Sequence, residues 1–333
     1  MNLTAITETE YANLTSSTLS SLQTSIHLEE IISAFEKVRS FICPNDGSLP
    51  IIAEKAKKCI KDIEKPFDYA DITAFSQFLV AYSDESPAEF FRASIFLTEL
   101  INIHYAKSSS SFLVSEKKNE KEYILITEEY KQQLSFFGYE MNGPKIKILG
   151  NVGSQLGYNM QNTHIHVTGS TEGNCGIGMK SGTIIVEGDA EDNVGYMMHN
   201  GRIIVKGNTR GYVGSNMYGG CITILGSAKE NVGVQMKKGR IEIFGNADDE
   251  LGNDMNNGKI IVHGNAGRFA GTYMNGGKII IKGHADSRVG HLMNGGTIFL
   301  EGTYTAIGRL IPNKTEHSEI YHQGKKIFPK VKK

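Results

Sequence analysis

Tryptophan is missing from this 333-residue chain, and cysteine and proline are scarce, with 4 and 7 copies. Cys43, Cys59, Cys175 and Cys221 form no Cys-x-x-Cys pair, which argues against a disulfide framework and against common zinc or redox motifs. Free thiols fit a reducing compartment. No run approaches the roughly 18 apolar residues that a membrane helix needs. The opening Met1-Asn2-Leu3-Thr4 has neither the basic nor the apolar region of a signal peptide. Cytoplasm is therefore the expected location, with signal-independent secretion as the alternative. Proline does not occur between Pro144 and Pro312, and of 37 glycines only Gly47 precedes Gly138. So sharp a change of composition divides the chain into two regions of different architecture.

From residue 131 to 301 a 19-residue unit repeats nine times without an insertion. Glycine recurs from Gly138 to Gly290, methionine three places later from Met141 to Met293, and isoleucine from Ile146 to Ile298. A second glycine closes each unit from Gly150 to Gly302. Nine of the 11 methionines stand in that one column. A fixed period of about 20 residues is the mark of a solenoid. Segments such as Thr183-Ile184-Ile185-Val186-Glu187 alternate and are β-branched, so each unit carries a strand. A helix would lose roughly 1 kcal/mol at each glycine. Stacking each strand on its copy one turn later gives a parallel sheet with rungs about 4.8 Å apart, and nine coils span roughly 43 Å. The Ile146 and Ile148 columns and the Met141 column are expected to point inward, methionine filling a thin core. The glycines mark bends, and the missing prolines leave every backbone N–H free for the ladder.

The pattern excludes two relatives by period and content. Left-handed β-helices run on hexapeptides with about 18 residues per turn, and the calcium-binding Gly-Gly-x-Gly-x-Asp nonapeptide is absent. Val232-Gly233, Met236, Gly239, Ile241, Ile243, Gly245 and Ala247 spell a unit that resembles the GXGXG domain. That domain is known from the C-terminal part of the glutamate synthase large subunit. It is known too from one of the subunits of formylmethanofuran dehydrogenase and of the formyltransferase/hydrolase complex. The resemblance covers about 131–302. It implies a right-handed parallel β-helix with a structural role beside catalytic domains that carry flavin, an iron–sulfur cluster and an amidotransferase cysteine. None of those catalytic domains is present in this chain, so no cofactor is expected.

The first region reads as a small all-α domain over 25–130 after an N-terminal stretch, 1–24, rich in Ser and Thr. Leu28, Ile31, Ile32, Phe35, Val38 and Ile42 recur at helical spacing, and a second helix is expected over 51–64. Asp71 is expected to cap a third helix ending near Tyr82, and Ser86-Pro87-Ala88-Glu89 forms a capping box for a fourth running to about Tyr105. Residues 1–137 hold 13 Lys/Arg against 20 Asp/Glu, a net −7, which leaves +6 for the remainder. Solenoid ends are open edges that need caps. The helical domain is expected at coil one, and 303–333, with Ile307, Leu310, Ile311, Ile320 and Ile327, at coil nine.

Candidate chemistry is thin. The glycines around Gly173-Asn174-Cys175-Gly176 lack the strand-to-helix setting of a dinucleotide loop. His164 and His166 share one outward face of a strand without evident further ligands, so no metal is expected. Pectate-lyase-like β-helices use stacked carboxylates, but the Glu172 and Glu191 column breaks at Arg210. Cys221 has cations in its column and no evident base. No nucleic-acid motif is present. The most informative column is apolar and outward: Ile185, Ile204, Ile261, Ile280 and Phe299. A stripe of this kind is expected to be covered by the amino-terminal helices, a protein partner or another copy. The favoured reading is a non-catalytic scaffold or protein-interaction module, such as the structural subunit of a synthase or formyl/amido-transfer complex. The alternatives are an enzyme or enzyme subunit with a site in the cleft between helical domain and β-helix, and a bacterial effector-type protein that binds a host target through its helical domain.

Overall fold

Ile203, Ile222 and Ile241 show why the 19-residue spacing closes into a coil. Each sits in the same register as the isoleucine one turn before and after it, and each is fully buried. The computed structural model describes residues 26–40, 49–63, 67–82, 87–110, 122–127, 133–309 and 317–328. They form a right-handed parallel β-solenoid of about 10 turns, with about 19 residues per turn, after a small region of four helices. The chain separates into two compact units, Met1–Ser115 and Glu116–Lys333.

The helical unit comprises α1 (Ile26–Arg39), α2 (Leu49–Lys61), α3 (Tyr69–Tyr82) and α4 (Pro87–Ser110). Its centre is a cluster of Phe35, Phe75 and Phe96, with ring centroids 5.3 to 5.6 Å apart. The cap of α3 differs from expectation. Asp68 is the N-cap, its Oδ1 accepting from the N–H groups of Ala70 and Asp71. Asp71 reciprocates by accepting from Asp68 N–H at 2.9 Å. Both carboxylates thus satisfy amides that the helix leaves open. At the other end of a helix, Arg92 on α4 donates to the Arg39 carbonyl of α1 at 2.6 Å, where a cation is favoured. Helix α4 extends beyond Tyr105 to Ser110. Ser86 of the expected capping box, Ile42, Cys43 and the whole of 1–24 lie outside the described residues.

In the solenoid, β1 (Glu122–Ile126), β2 (Lys145–Leu149), β3 (Thr163–Val167), β4 (Gly182–Val186), β5 (Arg202–Val205) and β6 (Cys221–Ile224) stack in chain order. The ladder continues through β7 (Arg240–Ile243), β8 (Lys259–Val262), β9 (Lys278–Ile281), β10 (Gly296–Leu300), β11 (Ser318–His322) and β12 (Lys325–Phe328). All three expected inward columns are buried along their length, from Met141 to Met293, Ile146 to Ile298 and Ile148 to Leu300. The glycine and isoleucine columns fit each other. A Cβ on Gly233 would lie 2.5 Å from Ile260 Cδ1, and one on Gly271 would lie 2.5 Å from Ile298 Cδ1. Each bend therefore leaves a gap that the isoleucine of the next coil fills, which explains why the two most regular columns are regular together.

The ladder is longer than the repeat. β1 pairs in parallel with β2, so a rung stands before residue 131, inside the region expected to be helical. At the other end β11 pairs in parallel with β10, placing Ile320 opposite Ile298, and β12 then returns antiparallel. The expected C-terminal cap is thus one more rung followed by a reversed strand, while Leu310 and Ile311 fall outside the described residues. A second ladder of isolated bridges runs from Val152 through Ala190, Ala228 and Ala266 to Tyr304.

Between the two ladders runs a polar column that reading by apolar pattern overlooks. The side-chain oxygens of Asn151, Ser170, Asp189, Asn208, Ser227, Asn246 and Asn265 each accept from the amide of the equivalent residue one coil later, at 2.6 to 3.0 Å. Every residue after a closing glycine carries a side-chain oxygen as far as Asn265. That continuity was a readable signal.

Candidate functional site

Residues 145, 147 and 149, and their equivalents in each later coil, point away from the core and make a three-column outer face on the sheet. The register confirms that Ile185, Ile204, Ile261, Ile280 and Phe299 share the middle column. Thr223 and Glu242 interrupt it between Ile204 and Ile261. At those two rungs the apolar surface shifts to the neighbouring column, where Leu225 and Phe244 are 44% and 46% exposed. Neither is visible along a single column of the repeat, because each stands two residues away from the middle one. The result is a ribbon that jogs sideways once and returns: Ile185, Ile204, Leu225, Phe244, Ile261, Ile280, Phe299. Ile261 is only 6% exposed, so the accessible ribbon is carried chiefly by the other six.

Aromatic stacking and charge frame the ribbon. Phe244 stacks on His263 at 4.4 Å, Phe299 stacks on Tyr321 at 5.0 Å, and Lys278 Nζ sits 4.1 Å from the Phe299 ring centroid. Two carboxylates lie on the face, each held on two sides. Glu187 is 2.6 Å from Lys206 Nζ and 2.7 Å from His166 Nε2. Glu242 is 2.7 Å from Arg240 and 2.9 Å from His263 Nε2. Hydrogen bonds from Lys206 and then His166 hold Glu187 below the ordinary 4.5, and those from His263 and then Arg240 do the same for Glu242. His166 is therefore an outward side chain with a carboxylate partner, and exposed His164 does not join it in a ligand set.

The sign of this linkage fixes a pH window. A carboxylate with a lowered folded-state value adds stability that is fully present above its unfolded value, about 4.5, and is lost as pH falls through the folded one. The contribution of these two carboxylates to the thermal midpoint should be full above about pH 5 and decline below that. Glu242→Gln should flatten the acid limb, measured by circular dichroism melting across that range. An unaltered acid limb would show that these pairs do not contribute.

The remaining candidates resolve into structure. Cys175 is fully buried and burial pushes its thiol up to about 12, so it stays protonated. Cys221 is half-buried in the outer face beside Arg202 and Arg240. Glu191 pairs with Arg210 at 3.4 Å, so the broken carboxylate column becomes an exposed ion pair. Among the described residues, no group of three or more His, Cys, Asp and Glu could hold a metal ion, and no helix is long and apolar enough to cross a membrane. Comparison with known protein families and with curated proteins finds no match to this chain.

Proposed function

We propose that this chain is a partner-binding scaffold, a non-catalytic subunit that uses the outer face of its solenoid to hold another protein. The single observation that carries the reading is the apolar ribbon from Ile185 to Phe299. Isolated apolar side chains are ordinary on a surface, whereas a row with a member on each of seven successive rungs, six of them accessible, marks a contact surface. A sheet built from 19-residue copies is a rigid platform, so binding would require little ordering of the scaffold itself. The resemblance of 131–302 to the GXGXG domain supports the same role, as the bracing element of a synthase or formyl-transfer assembly.

The test is to purify the tagged full chain from its own cells and weigh the native complex by mass spectrometry, beside the variant Leu225→Lys/Phe244→Lys/Ile280→Lys. These side chains project outward, so the melting temperature should change by no more than about 2 °C. The stoichiometric partner should be lost, because removing buried apolar anchors costs about 2 kcal/mol each. A partner retained at full occupancy by the variant, or a wild-type chain that emerges alone, would overturn the proposal.

A further inference from the structure

We infer that the segment received by this face is an acidic amphipathic α-helix lying along the solenoid axis. The inference rests on the partner-binding reading above and adds to it the chemistry and geometry of the occupant.

Charge comes first. Across the three outward columns from Lys145 to Glu301 stand eight Lys and Arg and three Glu. Glu187 and Glu242 already hold a cation and a histidine apiece. Among the described residues Arg202 and Lys259 have no ion pair, and Lys278 rests on an aromatic ring. The face therefore presents a cationic column directly beside the apolar ribbon. Carboxylates flanking an apolar ridge would complement both, whereas a second copy bringing the same face would set like charges against each other.

Geometry selects the helix. β2 to β10 are each hydrogen-bonded on both sides, so this face offers no open edge to which a strand could add. The partner has to be read through side chains, at the rung spacing of about 4.8 Å. An α-helix along the axis presents a new apolar side chain every turn, about 5.4 Å, through positions i, i+3, i+4 and i+7. An extended strand in the same direction repeats a face only every second residue, about 6.6 Å. Ile261 is nearly buried, so the row is met at Ile280 and Phe299, where over one rung a helix slips by about 0.6 Å and a strand by about 1.8 Å. With its apolar row on that segment, the helix brings its flanking positions over Lys259 and Lys278.

The experiment uses the full chain and fluorescein-labelled synthetic helices of about 18 residues, with leucine at i, i+3, i+4 and i+7. The flanking positions are Glu, Gln or Lys in three parallel peptides, and poly-glutamate serves as a polyanion without an apolar row. Anisotropy should show the Glu peptide binding at least about tenfold tighter than the Gln peptide, with no saturable binding of the Lys peptide. Lys259→Glu/Lys278→Glu should weaken the Glu peptide at least about tenfold, and so should raising salt from about 50 to about 500 mM. Equal binding of Glu and Gln peptides, with loss in the Leu225→Lys/Phe244→Lys/Ile280→Lys variant, would overturn the acidic helix and leave the partner-binding reading standing. Poly-glutamate binding as well as the Glu peptide would overturn it in favour of a general polyanion surface. Reversible self-association that the Leu225→Lys/Phe244→Lys/Ile280→Lys variant abolishes would overturn it in favour of a second copy. No saturable binding by any peptide overturns it as well, and the partner-binding reading falls too if the ribbon variant keeps its cellular partner.

Discussion

Ile222→Asp should unfold the middle of the solenoid. Ile222 is fully buried, in register with Ile203 and Ile241, and its Cδ1 fills the space beside Gly195 and Gly214. A carboxylate there would have no water and no donor, so the loss should be about 4–5 kcal/mol, a large part of a typical domain's stability. The thermal midpoint should fall by roughly 10 °C or more. Each coil of a solenoid is stabilised only by the coils beside it, so the damage should be local first. Hydrogen exchange followed by mass spectrometry should show protection lost around Ile203 to Ile241 before it is lost near Ile298. Thr297→Asp is the control. Its side chain is outward, paired in register with Lys278, and should change stability by no more than about 0.5 kcal/mol. Equal losses at the two positions would refute the assignment of inward and outward columns.

Gly239→Ala should be nearly as damaging, although it adds a single methyl group. Gly239 has φ +108°, outside the region that L side chains adopt. A Cβ there would lie 2.8 Å from the Gly220 carbonyl oxygen and 2.8 Å from Met217 Cε. The carbonyl belongs to the coil below and accepts from Arg240 N–H at 3.0 Å, so it cannot retreat without breaking a rung. Backbone strain and overlap together should cost about 2–4 kcal/mol, read by urea unfolding. Lys238→Ala, at the preceding residue and on an exposed side chain, should be close to neutral. If Gly239→Ala were equally silent, the tightness of the coil stacking described above would be wrong.

The solenoid was legible because position 222 has the same environment as 203 and 241, so the sequence states each requirement nine times. The rungs at the ends were not. Tyr123 stands opposite Ile146 and Ile298 opposite Ile320, and both steps are longer than the repeat, so the ladder runs on where the period has already failed. The helix cap had a different difficulty. Asp68 and Asp71 are three apart, and which of them caps depends on where the first turn begins, here at Tyr69. For the outer face, the middle column could be read down the sequence, but the ribbon could not. It passes from Ile204 to Leu225 by more than one period, and from Phe244 to Ile261 by less than one. Such diagonals become neighbours only when the strands are laid side by side.

The reversal of direction at β12 bears on how the parallel ladder ends. A stack of parallel strands is a template: its last rung offers amides and carbonyls in the polarity that another chain's first rung would match. Copies could in principle add end to end without limit, as growing fibrils do. β12 instead pairs antiparallel to β11, with a register shift between Ile320 and Tyr321, and it carries Lys325 and Lys326. An arriving rung would meet a reversed strand, an irregular spacing and two lysine side chains. The final strand thus covers the parallel edge of β11, while the same pairing chemistry holds every coil beneath it.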